Sequence, residues 1–225
     1  MSVSIARLGD AALVVTFAAG LSDEANDRAI ALAALLREDP ALHGGGLRVL
    51  DVVPAMTSVA VHFEPGAPGF EHALEHVRQR AQAVAGADAA AAHAEPRLHS
   101  IPVAYGGDDG PDLADVAAFA GCSVEDVIAR HTARVYRVYM LGFLPGFAYL
   151  GQVDPSIAAP RRPSPRQRVP AGSVGIAGTQ TGIYPQVSPG GWQVIGRTGA
   201  QMFDPASGAL LQPGDRVRFV AGPVA

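Results

Sequence analysis

The 225-residue sequence contains no lysine: all 17 of its basic side chains are arginine. That absence excludes a P-loop lysine, a Schiff-base lysine and a Ser-Lys dyad supplied by this chain. Phosphate or carboxylate would have to be held by arginine forks, backbone N–H groups or the residues of a partner. A single cysteine, Cys122, leaves no internal disulfide and fits a reducing, cytoplasmic setting. No apolar run approaches the ~20 residues that a membrane span needs. The opening MSVSIARLGDAALVV lacks the basic start, apolar core and small-residue cleavage site of a secretion signal. Neither a membrane nor secretion is therefore expected, and a formal charge of −4 argues against a general nucleic-acid face.

Acid is also missing locally. From Pro155 to Phe203 there is no Asp or Glu, yet Arg161, Arg162, Arg166, Arg168 and Arg197 lie in that window. The window carries +5, so the rest of the chain carries −9 (−4 minus +5). A positive island on an acidic chain reads as a site for a small anion.

What is present divides into two parts. Ser4 to Leu8 and Ala12 to Phe17 read as strands around a Gly9-Asp10 turn. Ser22 caps a helix that ends before Pro40 and buries Ala25, Ala29, Leu32 and Leu36. Leu47 to Val53 and Ser58 to Phe63 read as strands, and Phe70 to Ala85 as a helix burying Phe70, Leu74, Val77, Ala81 and Val84. The ββαββα order predicts a small α+β sandwich over residues 1–86. Residues 87–97, alanine-rich and polar, read as a linker. A strand over Leu98 to Ala104 and helices over Pro111 to Ala120 and Ser123 to Thr132 follow. From Leu141 to Ala200, 19 of 60 residues are Gly or Pro, interspersed with aromatic and branched side chains. That mixture predicts short strands and tight loops of a closed β structure over residues 98–225, giving an α+β chain of two domains.

The chemistry-bearing patterns differ in specificity. His72-Ala73-Leu74-Glu75-His76 matches the HxxEH zinc pattern, but both histidines fall opposite the predicted apolar helix face, and no third ligand is in view. It reads as a solvated face, and no metal site is expected. His131 lies on an apolar helix face, where a hydrogen-bonded core histidine competes with a functional one. The run RRPSPRQR is held extended by Pro163, Pro165 and Pro170. Gly172, Gly175 and Gly178 beyond it would let backbone amides approach a ligand. Gln180, Tyr184, Ser188 and Trp192, beside Gly190 and Gly191, offer hydrogen-bonding and stacking groups for a small polar substrate, with Trp192 as a wall. Ser173 and Ser188 show no nucleophile elbow and no triad order.

These segments together resemble one family. Tyr136-Arg137-Val138-Tyr139-Met140-Leu141-Gly142-Phe143-Leu144-Pro145-Gly146-Phe147, Arg168-Val169-Pro170-Ala171-Gly172-Ser173-Val174-Gly175-Ile176-Ala177-Gly178, Gln180 to Pro185 and Ser188 to Thr198 are similar to the KipI-like B subunits of bacterial 5-oxoprolinases, also called allophanate hydrolase subunit 1. The resemblance implies an α+β N-terminal domain and a cyclophilin-like C-terminal β-barrel. It implies a cytoplasmic complex with a C-type component (KipA, or allophanate hydrolase subunit 2) and an A-type component (the LamB/YcsF family), which opens 5-oxoproline to glutamate at the expense of ATP. In that scheme Mg-ATP acts at the level of the complex, and this chain is inactive alone. Arg168, Arg197 and His131 become the candidate catalytic residues. Arg161, Arg166, Gly172, Ser173, Gly175, Gly178, Gln180, Tyr184, Ser188, Gly190, Gly191 and Trp192 become the substrate- or anion-binding candidates. KipI-like inhibition of a histidine kinase and urea-linked carboxyl transfer are the alternatives.

Overall fold

A computed structural model describes residues 3–42, 48–66, 69–87 and 96–223. The chain divides into two units, Met1–Glu95 and Pro96–Ala225. Most of the stretch read as a linker, residues 88–95, lies outside the described residues, as does Leu47.

In the first unit the strands β1 (Ser4–Arg7), β2 (Ala12–Thr16), β3 (Val49–Pro54) and β4 (Ser58–Phe63) form an antiparallel sheet in the order β1-β2-β4-β3. Alternation decides which face is buried: Val59, Val61 and Phe63 of β4 and Leu13 and Val15 of β2 join one core. The helices α1 (Asp23–Glu38) and α2 (Phe70–Gly86) fill that core with Ala25, Ala29, Leu32 and Leu36, and with Ala73, Val77, Ala81 and Val84. The Ser22 hydroxyl accepts from the Ala25 amide and starts α1 where the sequence places the cap.

Helix α2 differs from expectation in one respect. Its His76 does not simply face solvent. Nε2 lies 2.8 Å from the buried Asp39 carboxylate, which also accepts from Arg80 Nε at 2.8 Å and, through its other oxygen, from the Ala41 amide at 3.1 Å. Asp39 at the end of α1 thus ties α1 to α2. Among the described residues no three His, Cys, Asp or Glu side chains gather as a metal site.

The second unit is built on β5 (Leu98–Tyr105), α3 (Leu113–Ala120), α4 (Val124–Thr132), β6 (Val135–Leu141), β7 (Ala148–Gly151), β8 (Arg166–Val169), β9 (Ser173–Ala177), β10 (Gln180–Ile183), β11 (Ser188–Gly190), β12 (Gln193–Arg197), β13 (Phe203–Asp204), β14 (Gly208–Ala209) and β15 (Arg216–Ala221). Seven of these strands close a barrel in the order β10-β7-β6-β15-β5-β12-β9, with β9 pairing back to β10. Every pairing is antiparallel except β15 with β5. Closure leaves the barrel no free edge. Strands β8 and β11 form a separate ribbon, as do β13 and β14.

Helix α3 packs on β12 and α4 on β15. Helix α4 opens with a reciprocal cap: the Ser123 hydroxyl accepts from the Asp126 amide at 3.0 Å, and Asp126 accepts from the Ser123 amide at 3.2 Å. Replacing Ser123 with alanine removes the acceptor for the Asp126 amide. We expect a loss of about 1 kcal/mol, read as a melting temperature a few degrees below that of the unmodified chain.

Candidate functional site: an arginine shelf beside an aromatic cluster

The proline-rich run does stay out of helical structure, but its arginines converge on one carboxylate. Asp112, the residue before α3, is buried to 1% exposure. Its two oxygens accept a fork from Arg166 (2.6 and 2.7 Å), a hydrogen bond from Arg162 (2.6 Å) and one from the Val194 amide of β12 (2.7 Å). Burial pushes the Asp112 carboxyl up. The Arg166 and Val194 hydrogen bonds, with the charges of both arginines, outweigh it and hold the group below the usual carboxylate range. The backbone follows the same line: Arg162 N–H donates to Gly191 O at 2.8 Å, and Gln193 Nε2 donates to Pro160 O at 3.0 Å.

Arg197 is compensated as well. Its Nε donates to Ala171 O at 3.2 Å, and a terminal nitrogen lies 3.6 Å from Asp109. The acid-free window is therefore not an uncompensated island: Arg162, Arg166 and Arg197 are met by acids from residues 109–112. Arg161 and Arg168 are exposed and form no ion pair among the described residues.

Next to the run lies an aromatic cluster of Phe147, Tyr184 and Trp192 with Val169, Ala177 and Val194. Trp192 is not the open wall that the sequence suggests. It is 5% exposed and lies across Gly175 and Gly182, which face each other on β9 and β10. A Cβ on Gly175 would meet Trp192 Cβ at 3.1 Å, and one on Gly182 would meet the indole at 3.2 Å. The glycine pair is thus a seat for the indole. Phe147 stands edge-on to both Trp192 and Tyr184, with ring centroids 5.5 and 5.3 Å away. The Tyr184 phenol touches Gly190, where a Cβ would lie 2.3 Å from its oxygen. Burial raises this phenol's pKa, against the opposing pull of the Trp192 amide and the nearby charges of Arg161 and Arg166. Tyr184 is accordingly neutral and unfit as a base near neutral pH, but it stands beside guanidinium groups. Phe143, exposed and in the left-handed region at φ 71°, packs edge-on against Phe147 at 5.6 Å and carries the cluster to the surface.

The family model for the carboxyltransferase domain, subdomains C and D, matches residues 3–211. The B subunit of the 5-oxoprolinase of Bacillus subtilis (strain 168) is 41% identical over 224 residues, covering 96% of this chain and 91% of the relative. This chain belongs to the 5-oxoprolinase B-subunit family. Among solved structures, TTHA0988 superposes with a TM-score of 0.77 at 42% identity over 95% of this chain. The present B-type chain spans only 40% of that protein's length. The Kluyveromyces lactis urea carboxylase shares the fold alone, with a TM-score of 0.69 at 16% identity over 98% of this chain and 22% of its own.

Within this B-type chain the candidate residues fall into separate places. Arg161, Arg166, Tyr184, Gly190, Gly191, Trp192 and Gly175 come together around the aromatic cluster. Ser173 pairs with Arg197 in the β9–β12 register, and Gly172 sits at the same end, bonded to Thr198 and Tyr184. Gly178 and Gln180 lie at the β9–β10 turn. Ser188 is buried, its hydroxyl turned to Pro189 O at 3.2 Å.

His131 stands apart inside the barrel, fully buried, with Nδ1 2.7 Å from the Tyr105 hydroxyl, Nε2 3.0 Å from Thr181 Oγ1 and its ring stacked on Phe219 at 4.6 Å. Thr181 donates its one proton to Gly175 O at 3.0 Å, so it must accept from His131 Nε2–H. Nδ1 then accepts from Tyr105, and neither ring nitrogen is open to a substrate. The residues that sequence reasoning missed are Asp112 and Asp109. Their signal was the turn Asp108-Asp109-Gly110-Pro111-Asp112, an acidic knot outside the acid-free window.

Proposed function

We propose that this chain is the B component of an ATP-dependent 5-oxoprolinase, which works with a C-type component to activate 5-oxoproline for ring opening to glutamate by an A-type component. The observation that carries the reading is the 41% identity to the B subunit of the Bacillus subtilis 5-oxoprolinase across 91% of that relative. This chain's share is anion recognition. Arg161 and Arg168, both exposed, engage the substrate carboxylate or the phosphoryl group passing to the lactam. Arg197 is the third arginine of the proposal, steadied by Asp109.

The chain has no lysine to reach nucleotide phosphates, so the proposal places Mg-ATP at the level of the complex. His131, with both ring nitrogens engaged, belongs to the barrel core rather than to catalysis. The 40% share of TTHA0988 supports a unit that works beside further polypeptide. The family's carboxyltransferase description keeps a second reading, carboxyl transfer in a urea-linked system.

Co-expression with a C-type component tests the proposal. The pair is expected to consume ATP only when 5-oxoproline is present, and the isolated chain to turn over nothing. The Arg161→Ala/Arg168→Ala double variant should lose roughly 10- to 100-fold in kcat/KM, the scale of a lost charge-assisted hydrogen bond, with its melting temperature unchanged. ATP consumption indifferent to 5-oxoproline would overturn the assignment, and dependence on bicarbonate and a biotinyl carrier instead would establish the second reading.

A further inference from the structure

We propose that Asp112 is the positioning residue of the anion site: it sorts the arginines of the RRPSPRQR run into two that hold the fold and two that are left to bind. The inference rests on the functional reading above only for the identity of the anion. Its structural part stands by itself. A run with arginines at 161, 162, 166 and 168 and prolines at 163 and 165 has no helical hydrogen bonding to order it, and mutual repulsion should splay it into solvent. It is ordered because one carboxylate, buried to 1% exposure, takes Arg162 from one side of the Pro163–Pro165 bridge and a fork from Arg166 on the other.

Both ends of the bridge are pinned at one point, and that point is itself fixed to β12 through the Val194 amide at 2.7 Å. The flanking residues inherit their positions. Arg161 precedes a residue whose amide is tied to Gly191, and Arg168 follows the fork by two residues on β8, whose Val169 pairs with Ser188. Because all four hydrogen bonds to the carboxylate come from this chain, Asp112 has no capacity left for a ligand. It acts through the arginines and does not touch the substrate. A carboxylate carrying two guanidiniums also leaves a local charge of about +1, so the shelf stays attractive to an anion while Arg161 and Arg168 keep their full charge.

Asp112→Asn keeps the shape and removes the charge. Trypsin reads the consequence without reference to any substrate, since cleavage requires a segment to be released from its hydrogen bonds. In the unmodified folded chain the bonds after Arg161, Arg166 and Arg168 should resist cleavage. In Asp112→Asn they should be cut at least about ten times faster, while the bond after Arg218 in the barrel strand β15 stays protected. The Arg162-Pro163 bond, which trypsin does not cut, serves as an internal control. In the complex with the C-type component, KM for 5-oxoproline should rise about tenfold or more with kcat within about threefold, because the site is displaced rather than the chemistry removed.

Should Asp112→Asn unfold the barrel, Arg162→Gln carries the same test: it leaves the Arg166 fork in place, and cleavage after Arg161 should accelerate alone. Unchanged protection of the run overturns the proposal. So does a fall in kcat at constant KM, which is the mark of a residue that only stabilises. Absence of turnover by the unmodified complex would refute the 5-oxoproline reading and leave the protease result to decide the role of Asp112.

Discussion

Gly172→Ala is expected to destabilise the C-terminal unit by about 3 kcal/mol and to lower its melting temperature by about 10 °C. Two costs combine at this position. Its φ is +79°, in the left-handed region, where a side chain costs about 1–2 kcal/mol. The added Cβ would also lie 2.1 Å from the carbonyl oxygen of Thr198. That oxygen belongs to backbone and cannot swing aside. Thr198 N–H donates to Gly172 O at 2.9 Å, and Gly172 N–H donates to Tyr184 O at 2.7 Å, so the residue is clamped between the ends of β10 and β12. Relief requires a backbone shift, with an overpacking cost of about 1–3 kcal/mol. Gly178→Ala is the matched comparison, with φ +57° and nothing within 4 Å of its added Cβ. It should cost about 1–2 kcal/mol, the conformational part alone. Equal melting temperatures for the two variants would show that the close approach to Thr198 is not what requires the glycine.

The same position shows where sequence reading reaches and where it stops. Gly172, Gly175 and Gly178 read as places where a ligand nears the backbone. At the first two the approaching atoms are the chain's own, the Thr198 carbonyl and the Trp192 side chain. At Gly178 a Cβ would meet nothing within 4 Å, the positive φ alone favouring glycine. A glycine in a sequence reports a close approach or a left-handed backbone, not which of the two, nor what comes close. Local elements are legible because their causes are local. The Ser22 and Ser123 caps, the alternation of β4 and the helical stripe of α1 all lie within a few residues of the element they set.

Barrel order is not legible, since β15 lies parallel to β5, pairing Arg216 with Leu98 at opposite ends of the domain, a pairing that no local pattern encodes. The arginine window is legible as charge. Its partner is not, because Asp112 comes from 50 residues before Arg162. His76 escapes in the same way: helical periodicity places it opposite the core, and only the end of α1 brings Asp39 to it.

Acid should expose the one buried imidazole of the barrel. Burial lowers the His131 pKa to about 3 from an ordinary 6.5. The folded chain therefore refuses a proton that the unfolded chain accepts, and between pH 6.5 and 3 the unfolded state holds more protons. Stability from the neutral imidazole is fully present above pH 6.5. It is lost as pH falls through that window, at a slope approaching ~1.4 kcal/mol per pH unit for one proton. The groups packed on the ring cannot supply this slope. The Tyr105 and Tyr136 phenols are raised above their usual range by burial, and Thr181 and Phe219 do not titrate here.

His131→Gln removes the titration while keeping a hydrogen-bonding side chain between Tyr105 and Thr181. At pH 7 the variant should be the less stable protein, having lost the stack on Phe219. From about pH 6 to about pH 4 its urea midpoint should fall less steeply than that of the unmodified chain, so the two curves converge with acid. The remaining histidines and the low-pKa carboxyls Asp39 and Asp112 are common to both proteins and cancel in the difference. Parallel curves would mean that His131 takes up its proton in the folded barrel without cost. That would require Tyr105 to turn its oxygen lone pair toward Nδ1, and the tautomer fixed by Thr181 and Gly175 would then not be the one that holds the core together.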